Sequence, residues 1–207
     1  MEYLKKKMSK VASMYKKIIV IALAVILLIG CSLYPSTRIK RYKDFSYQYL
    51  SDNEINSFVF ASGVGGWATY MAINADGSFS GTYEDYDTGS DNQNLHYYCK
   101  FSGQLGELEK VDKLTYKTRL VDLSLDHEAG TKKLIGDELM IYTKPYGIGQ
   151  GGDLYFYLPG TPTKDLSEEA ISWLNNRLVL GGYDEEPLTQ IPCCVLYETE
   201  TGYTWNN

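Results

Sequence analysis

The chain has 207 residues, a formal net charge of −6 and two histidines. Excess carboxylate repels a phosphate backbone, so the balance argues against nucleic acid as a partner. Two histidines leave little for proton transfer near neutral pH.

In chain order, Lys5, Lys6, Lys7, Lys10, Lys16 and Lys17 precede an uncharged apolar run from Ile18 to Ile29, closed by Gly30. A basic segment, a short apolar core and a small-residue boundary describe a secretory signal. The run is too short to span a bilayer, which takes about 20 helical residues. Leu28-Ile29-Gly30-Cys31 matches, place by place, the recognition sequence of bacterial lipoprotein signal peptides, and residues 1–30 resemble such a signal. The resemblance implies transfer of diacylglycerol to the Cys31 sulfur, cleavage before it, and a lipid-anchored protein facing outward from the cell membrane. Two acyl chains suit stable anchoring, at about 0.8 kcal/mol for each buried CH₂. Removing residues 1–30 takes away six lysines and one glutamate, leaving 14 Lys and Arg against 25 Asp and Glu, a net −11.

Residues 31–56 read as a tether. Arg38, Lys40, Arg41 and Lys43 alternate with Tyr34, Tyr42, Phe45, Tyr47 and Tyr49. Such a segment either lies on anionic lipid, at about 1 kcal/mol per cation, or is a solvated linker. Residues 57–207 read as one extracytoplasmic domain, rich in tyrosine and glycine, which favours strands and turns.

Ser57 to Ala61 is a short strand before a flexible glycine turn. Trp67 to Ile73 alternates, and Asn74-Ala75-Asp76-Gly77 is turn chemistry leading into Ser78 to Glu84, a hairpin. Phe79, Gly81 and Tyr83 share one face of it. Glu84 to Asn94 is polar and reads as a loop. Its Asp85, Asp87 and Asp91 lack calcium-loop spacing. Leu95 to Ser102, Val111 to Leu123 and Leu134 to Thr143 read as further strands. Lys144 to Gly152, with four glycines, reads as a mobile hairpin loop; no phosphate-loop lysine follows it. Asp153 to Leu158 is apolar on both faces, as a central strand is. Ser167-Glu168-Glu169 opens a helix whose stripe is Ala170, Ile171, Leu174 and Leu178, with Trp173 beside it; Gly181-Gly182 ends it. Ile191 to Tyr197 and Tyr203 to Trp205 form a last strand or hairpin. Consecutive strands joined by turns make a mainly β protein: an antiparallel barrel or two-layer sandwich, closed by the late helix and preceded by the signal helix.

Cys99, Cys193 and Cys194 allow at most one bridge once Cys31 carries lipid. Cys99 with Cys194 or Cys193 is the natural pair, and free, buried thiols are the alternative. No cysteine or histidine spacing suits zinc, and no cofactor is implied.

Two resemblances concern the domain. Phe58 to Gly63, the Trp67 to Tyr83 hairpin, Tyr98 to Gly103 and Leu158-Pro159-Gly160-Thr161-Pro162 with Trp173 look like a group of uncharacterised Gram-positive lipoproteins, which implies a location and no chemistry. Gly65-Gly66-Trp67, followed by Asp76-Gly77-Ser78-Phe79, resembles the opening of lipocalin-like barrels. That implies a cavity for a small apolar ligand, with Trp67 closing the barrel bottom; Trp67 and Tyr97 are the candidates for facing the ligand or closing the barrel. No nucleophile elbow or metalloprotease helix occurs. The expectation is therefore a non-enzymatic binding domain for a small ligand or an envelope protein. The alternatives are an envelope hydrolase with paired carboxylates and a structural or immunity-like lipoprotein.

Overall fold

The computed structural model describes residues 45–62, 66–89, 93–149, 151–180 and 188–207. Helix α1 spans Tyr47–Asp52. Eleven strands follow: β1 (Ser57–Ala61), β2 (Trp67–Ile73), β3 (Ser78–Thr88), β4 (Asn94–Leu105), β5 (Glu109–Lys110), β6 (Thr115–Leu125), β7 (Lys132–Ile135), β8 (Glu138–Tyr142), β9 (Asp153–Tyr157), β10 (Val195–Glu198) and β11 (Thr204–Asn206). Helix α2 (Glu168–Leu180) lies between β9 and β10. The protein is mainly β. Eight strands close an antiparallel barrel in the order β1-β2-β3-β4-β6-β9-β10-β11, with β11 paired back to β1.

An eight-stranded barrel leaves an interior just wide enough to be filled by side chains. Here it is filled. Phe58, Phe60, Phe101, Phe156 and Trp205 are at most 1% exposed and form one core with Phe79, Leu105 and Leu196. Burying each such ring is worth about 1.5–3 kcal/mol. Two inward glycines make the room. Gly81 pairs with Phe101, and Gly103 pairs with Phe79. A Cβ on Gly81 would sit 2.4 Å from the Phe101 ring, and one on Gly103 would sit 2.5 Å from the Phe79 ring. Each phenylalanine therefore lies across the glycine opposite it.

The turn at Asn74 to Gly77 forms as its residues predict. Asn74 N–H donates to the Ser78 carbonyl (2.7 Å), Asp76 Oδ1 accepts from Ser78 N–H (2.9 Å), and Gly77 takes φ 81°. Helix α2 also forms where expected, with the Ala170 N–H donating to Ser167 Oγ at 3.1 Å. Ala170 and Leu174 bury against Ile191 and Val195, outside the barrel wall. The Gly181-Gly182 stop falls outside the described residues.

Four readings are corrected. The folded body begins before residue 57: Phe45, Tyr47 and Leu50 are core residues, and α1 caps one barrel end. Phe45 lies 4.8 Å from Tyr116 and 5.6 Å from Phe156, ring centre to ring centre, so these rings are spent on the barrel rather than on lipid. The polar stretch after Glu84 continues as strand to Thr88, because β4 pairs with it as far as Asn94. Leu134 to Thr143 is two strands rather than one, β7 and β8, turning at Gly136 with φ 67°. Finally, the glycine loop is packed. Trp205 Nε1–H donates to the Gly147 carbonyl (3.0 Å), and Thr69 Oγ1–H donates to the Tyr146 carbonyl.

Strands β3 and β4 outrun β2. The N-terminal half of β4 pairs in parallel with β8, which pairs with β7, so a sheet extension projects from the end opposite α1.

Candidate functional site

Trp67 and Tyr97 lie two strands apart at the barrel end opposite α1. Trp67 pairs with Asp85, Asp85 with Tyr97, and Tyr97 with Ile141, so one register row crosses β2, β3, β4 and β8. Trp67 packs on Tyr146 (4.7 Å) and Phe60 (4.9 Å), and Phe60 packs on Trp173 (4.8 Å) and Tyr203 (5.0 Å). These rings close the mouth. Beneath them Tyr83 donates to Asp85 Oδ2 at 3.3 Å, and burial, then the Asp85 charge, pushes its phenol up to about 12.

The lipocalin-like expectation of a ligand cavity is not met among the described residues. The apolar pocket bounded by Met71, Phe79, Ile148 and Trp205 has a volume of about 20 Å³, room for roughly one water. Glu198 lies on its edge, 1% exposed. Its oxygens accept from the N–H groups of Glu200 (2.8 Å) and Thr201 (2.9 Å) and from the Thr201 hydroxyl. This carboxylate holds the Glu198–Thr201 turn together.

The Cys99–Cys194 bridge does not form, and both thiols are free and buried. Cys99 on β4 precedes Phe101, which pairs with Leu125 at the far end of β6; Cys194 precedes Val195, which pairs with Tyr157 and through it with Thr115. Strands β4 and β10 stand three strands apart one way round the closed barrel and five the other, so the two cysteines lie on opposite walls, whereas a disulfide requires Cα atoms within about 7 Å. Burial pushes the Cys99 thiol up to about 11 and the Cys194 thiol higher still. Leu28, Ile29, Gly30 and Cys31 lie outside the described residues.

The outer face of the extension gathers residues that the sequence reading left unassigned. Tyr86 stacks on His96 with ring centres 4.2 Å apart and planes 20° apart. His96 meets Tyr98 edge-on (5.7 Å), Tyr98 meets Tyr142 (6.3 Å), and His127 stacks on Tyr142 (3.9 Å, 7°). His96 Nδ1–H donates to Glu138 Oε1 at 2.7 Å, fastening β8 to β4. The His96 side chain is 10% exposed, and its Nε2 has no partner. Tyr86, by contrast, is 58% exposed. Burial, then the Glu84 and Glu138 charges, holds its phenol above the ordinary value. Both histidines of the chain thus belong to one row of rings. The signal for it was alternation: Glu84 with Tyr86, and His96 with Tyr98, share a face once β3 is carried past Glu84.

A second feature is a polar groove of about 380 Å³ where β4 gives way to β5. Glu107, Glu109, Lys117, Arg119 and Asp153 line it. Lys117 Nζ bonds Asp153 Oδ2 at 2.8 Å, and that hydrogen bond raises the lysine pKa. Among the described residues, no group of three or more His, Cys, Asp or Glu side chains is placed to hold a metal ion. No family model, no curated protein and no solved structure matches this chain.

Proposed function

We propose that this protein is a lipid-anchored extracytoplasmic binding module, held to the membrane through Cys31 and presenting the sheet extension to an envelope partner. The observation that carries this reading is the placement of the two barrel ends. Phe45 and α1 pack at one end, while Tyr86, His96, Tyr98, Tyr142 and His127 stand on the extension at the other. In sequence the proposed anchor at Cys31 precedes the α1 end, so the ring-bearing end is the end of the domain further from it along the fold. The filled barrel favours recognition on the outer surface over capture of a small molecule inside.

The test is Cys31→Ser in the full-length chain, followed by cell fractionation. The parent is expected in the membrane fraction at processed mass. The variant is expected to lose processing and acylation and to leave that fraction. Persistence of the variant with membranes at processed mass would overturn the anchor.

A further inference from the structure

The geometry points to the Tyr86 ring, flanked by Glu84 and Glu138, as a receiving site for an arginine side chain on a basic peptide segment of a partner. The inference rests on the binding-module reading and names the chemistry of the partner.

Three observations converge. First, Tyr86 is 58% exposed although His96 covers one face of its ring, so its open area lies on the other face and at the phenol edge. A guanidinium plane laid on that face would extend the existing Tyr86–His96 stack, and Arg is the cation most suited to an aromatic face. Second, carboxylates lie on both sides. Glu84 is two residues back on the same face of β3, its Oε2 3.5 Å from the Tyr86 hydroxyl, and Glu138 is held beside the stack by His96. A carboxylate accepts the guanidinium fork in two parallel bonds. The nearest cation in the Tyr86 row is Lys133, across His96 and Met140, three strand spacings or about 14 Å away. Lys100, four residues along β4 from His96, is engaged with Asp126 at 3.4 Å. Third, His96 stacks beneath Tyr86 and commits Nδ1–H to Glu138. The His96 ring therefore holds Tyr86 and the Glu138 carboxylate in place from below, so the site is ordered before a partner arrives. The net −11 of residues 31–207 supplies complementary charge at longer range.

The experiment uses the full-length chain in a non-ionic detergent and calorimetric titration with a capped Gly-Arg-Gly-Arg-Gly peptide, its lysine counterpart and an oligosaccharide of glucosamine. The arginine peptide is expected to bind about tenfold more tightly than the lysine peptide. Tyr86→Ala and the double change Glu84→Gln with Glu138→Gln are each expected to weaken it about tenfold. Tyr86→Phe, which keeps the ring, should bind like the parent. Glu107→Gln with Glu109→Gln, an equal charge change in the groove near β5, should leave affinity unaltered. Equal losses for the two double variants would reduce the effect to general charge and overturn the site. So would full affinity in Tyr86→Ala, or preference for the amino sugar. These readouts do not depend on Cys31, so a failed anchor and a failed arginine site give separate results.

Discussion

At the residue scale, the tyrosines divide by what their hydroxyls do. Tyr47 sits in the core, its hydroxyl donating to the Gly106 carbonyl at 2.7 Å, an oxygen that also accepts from Thr118 Oγ1 at 2.9 Å. Burial pushes its phenol up to about 12, against a hydrogen bond with Thr118 that lowers it. Tyr83 and Tyr203 are also raised to about 12, chiefly by burial. A raised phenol means the fold prefers the protonated form. That preference contributes its full stability below the unfolded value of about 10 and is lost as pH rises toward 12. Alkaline unfolding is therefore expected between about pH 10 and 12, followed by far-ultraviolet circular dichroism alongside phenolate absorbance. Tyr47→Phe lowers stability at neutral pH by about 1 kcal/mol, and it should flatten the fall across that window. A variant as steep as the parent would show that Tyr47 titrates elsewhere.

At the element scale, the Lys144 to Gly152 loop is the segment whose packing least resembles its composition. Glycines suggest freedom, yet each close approach uses the missing Cβ. Gly147 takes φ 99°, and a Cβ there would lie 2.4 Å from Phe60 and 3.1 Å from Trp205. Gly147→Ala combines a left-handed backbone with a collision in the core, and is expected to cost about 2–4 kcal/mol, measured by denaturant unfolding. A loss under about 0.5 kcal/mol, the ordinary range for an exposed loop, would mean that the loop is not seated on the barrel. The extension of β7 and β8 was equally hard to read. The strand signal was present in Leu139, Met140 and Ile141, but the Gly136-Asp137 turn was hidden inside what reads as one apolar run. Parallel pairing of β8 with β4 joins residues about forty positions apart, and no local pattern carries that.

At the scale of the whole molecule, the barrel is closed and its interior is occupied by its own rings. Aromatic pairs such as Phe58–Phe156 at 5.9 Å and Phe60–Trp205 at 5.8 Å add about 0.5–1.5 kcal/mol each beyond the area they bury. A fluorescent fatty-acid probe is therefore expected to show no saturable uptake into the folded protein; stoichiometric binding abolished by a bulky inward substitution would require a cavity. Hairpins and their faces were legible locally. Phe79, Gly81 and Tyr83 were read on one face, and that face is the interior, because alternation with a period of two follows directly from the pleat.

The amino-acid sequence by itself determined the mainly β architecture, the turn at Asn74 to Gly77 and the helix opened by Ser167, since each depends on neighbours within a few residues. Only the tertiary structure decided that the described part of the interior is filled by its own rings, that Phe45 and Tyr47 belong to it, that Cys99 and Cys194 lie far apart, and that Tyr86, His96, Glu138 and His127 share one outer face. Volume filled inside a closed wall and register across non-adjacent strands are sums over the whole chain, so no stretch of residues states them alone.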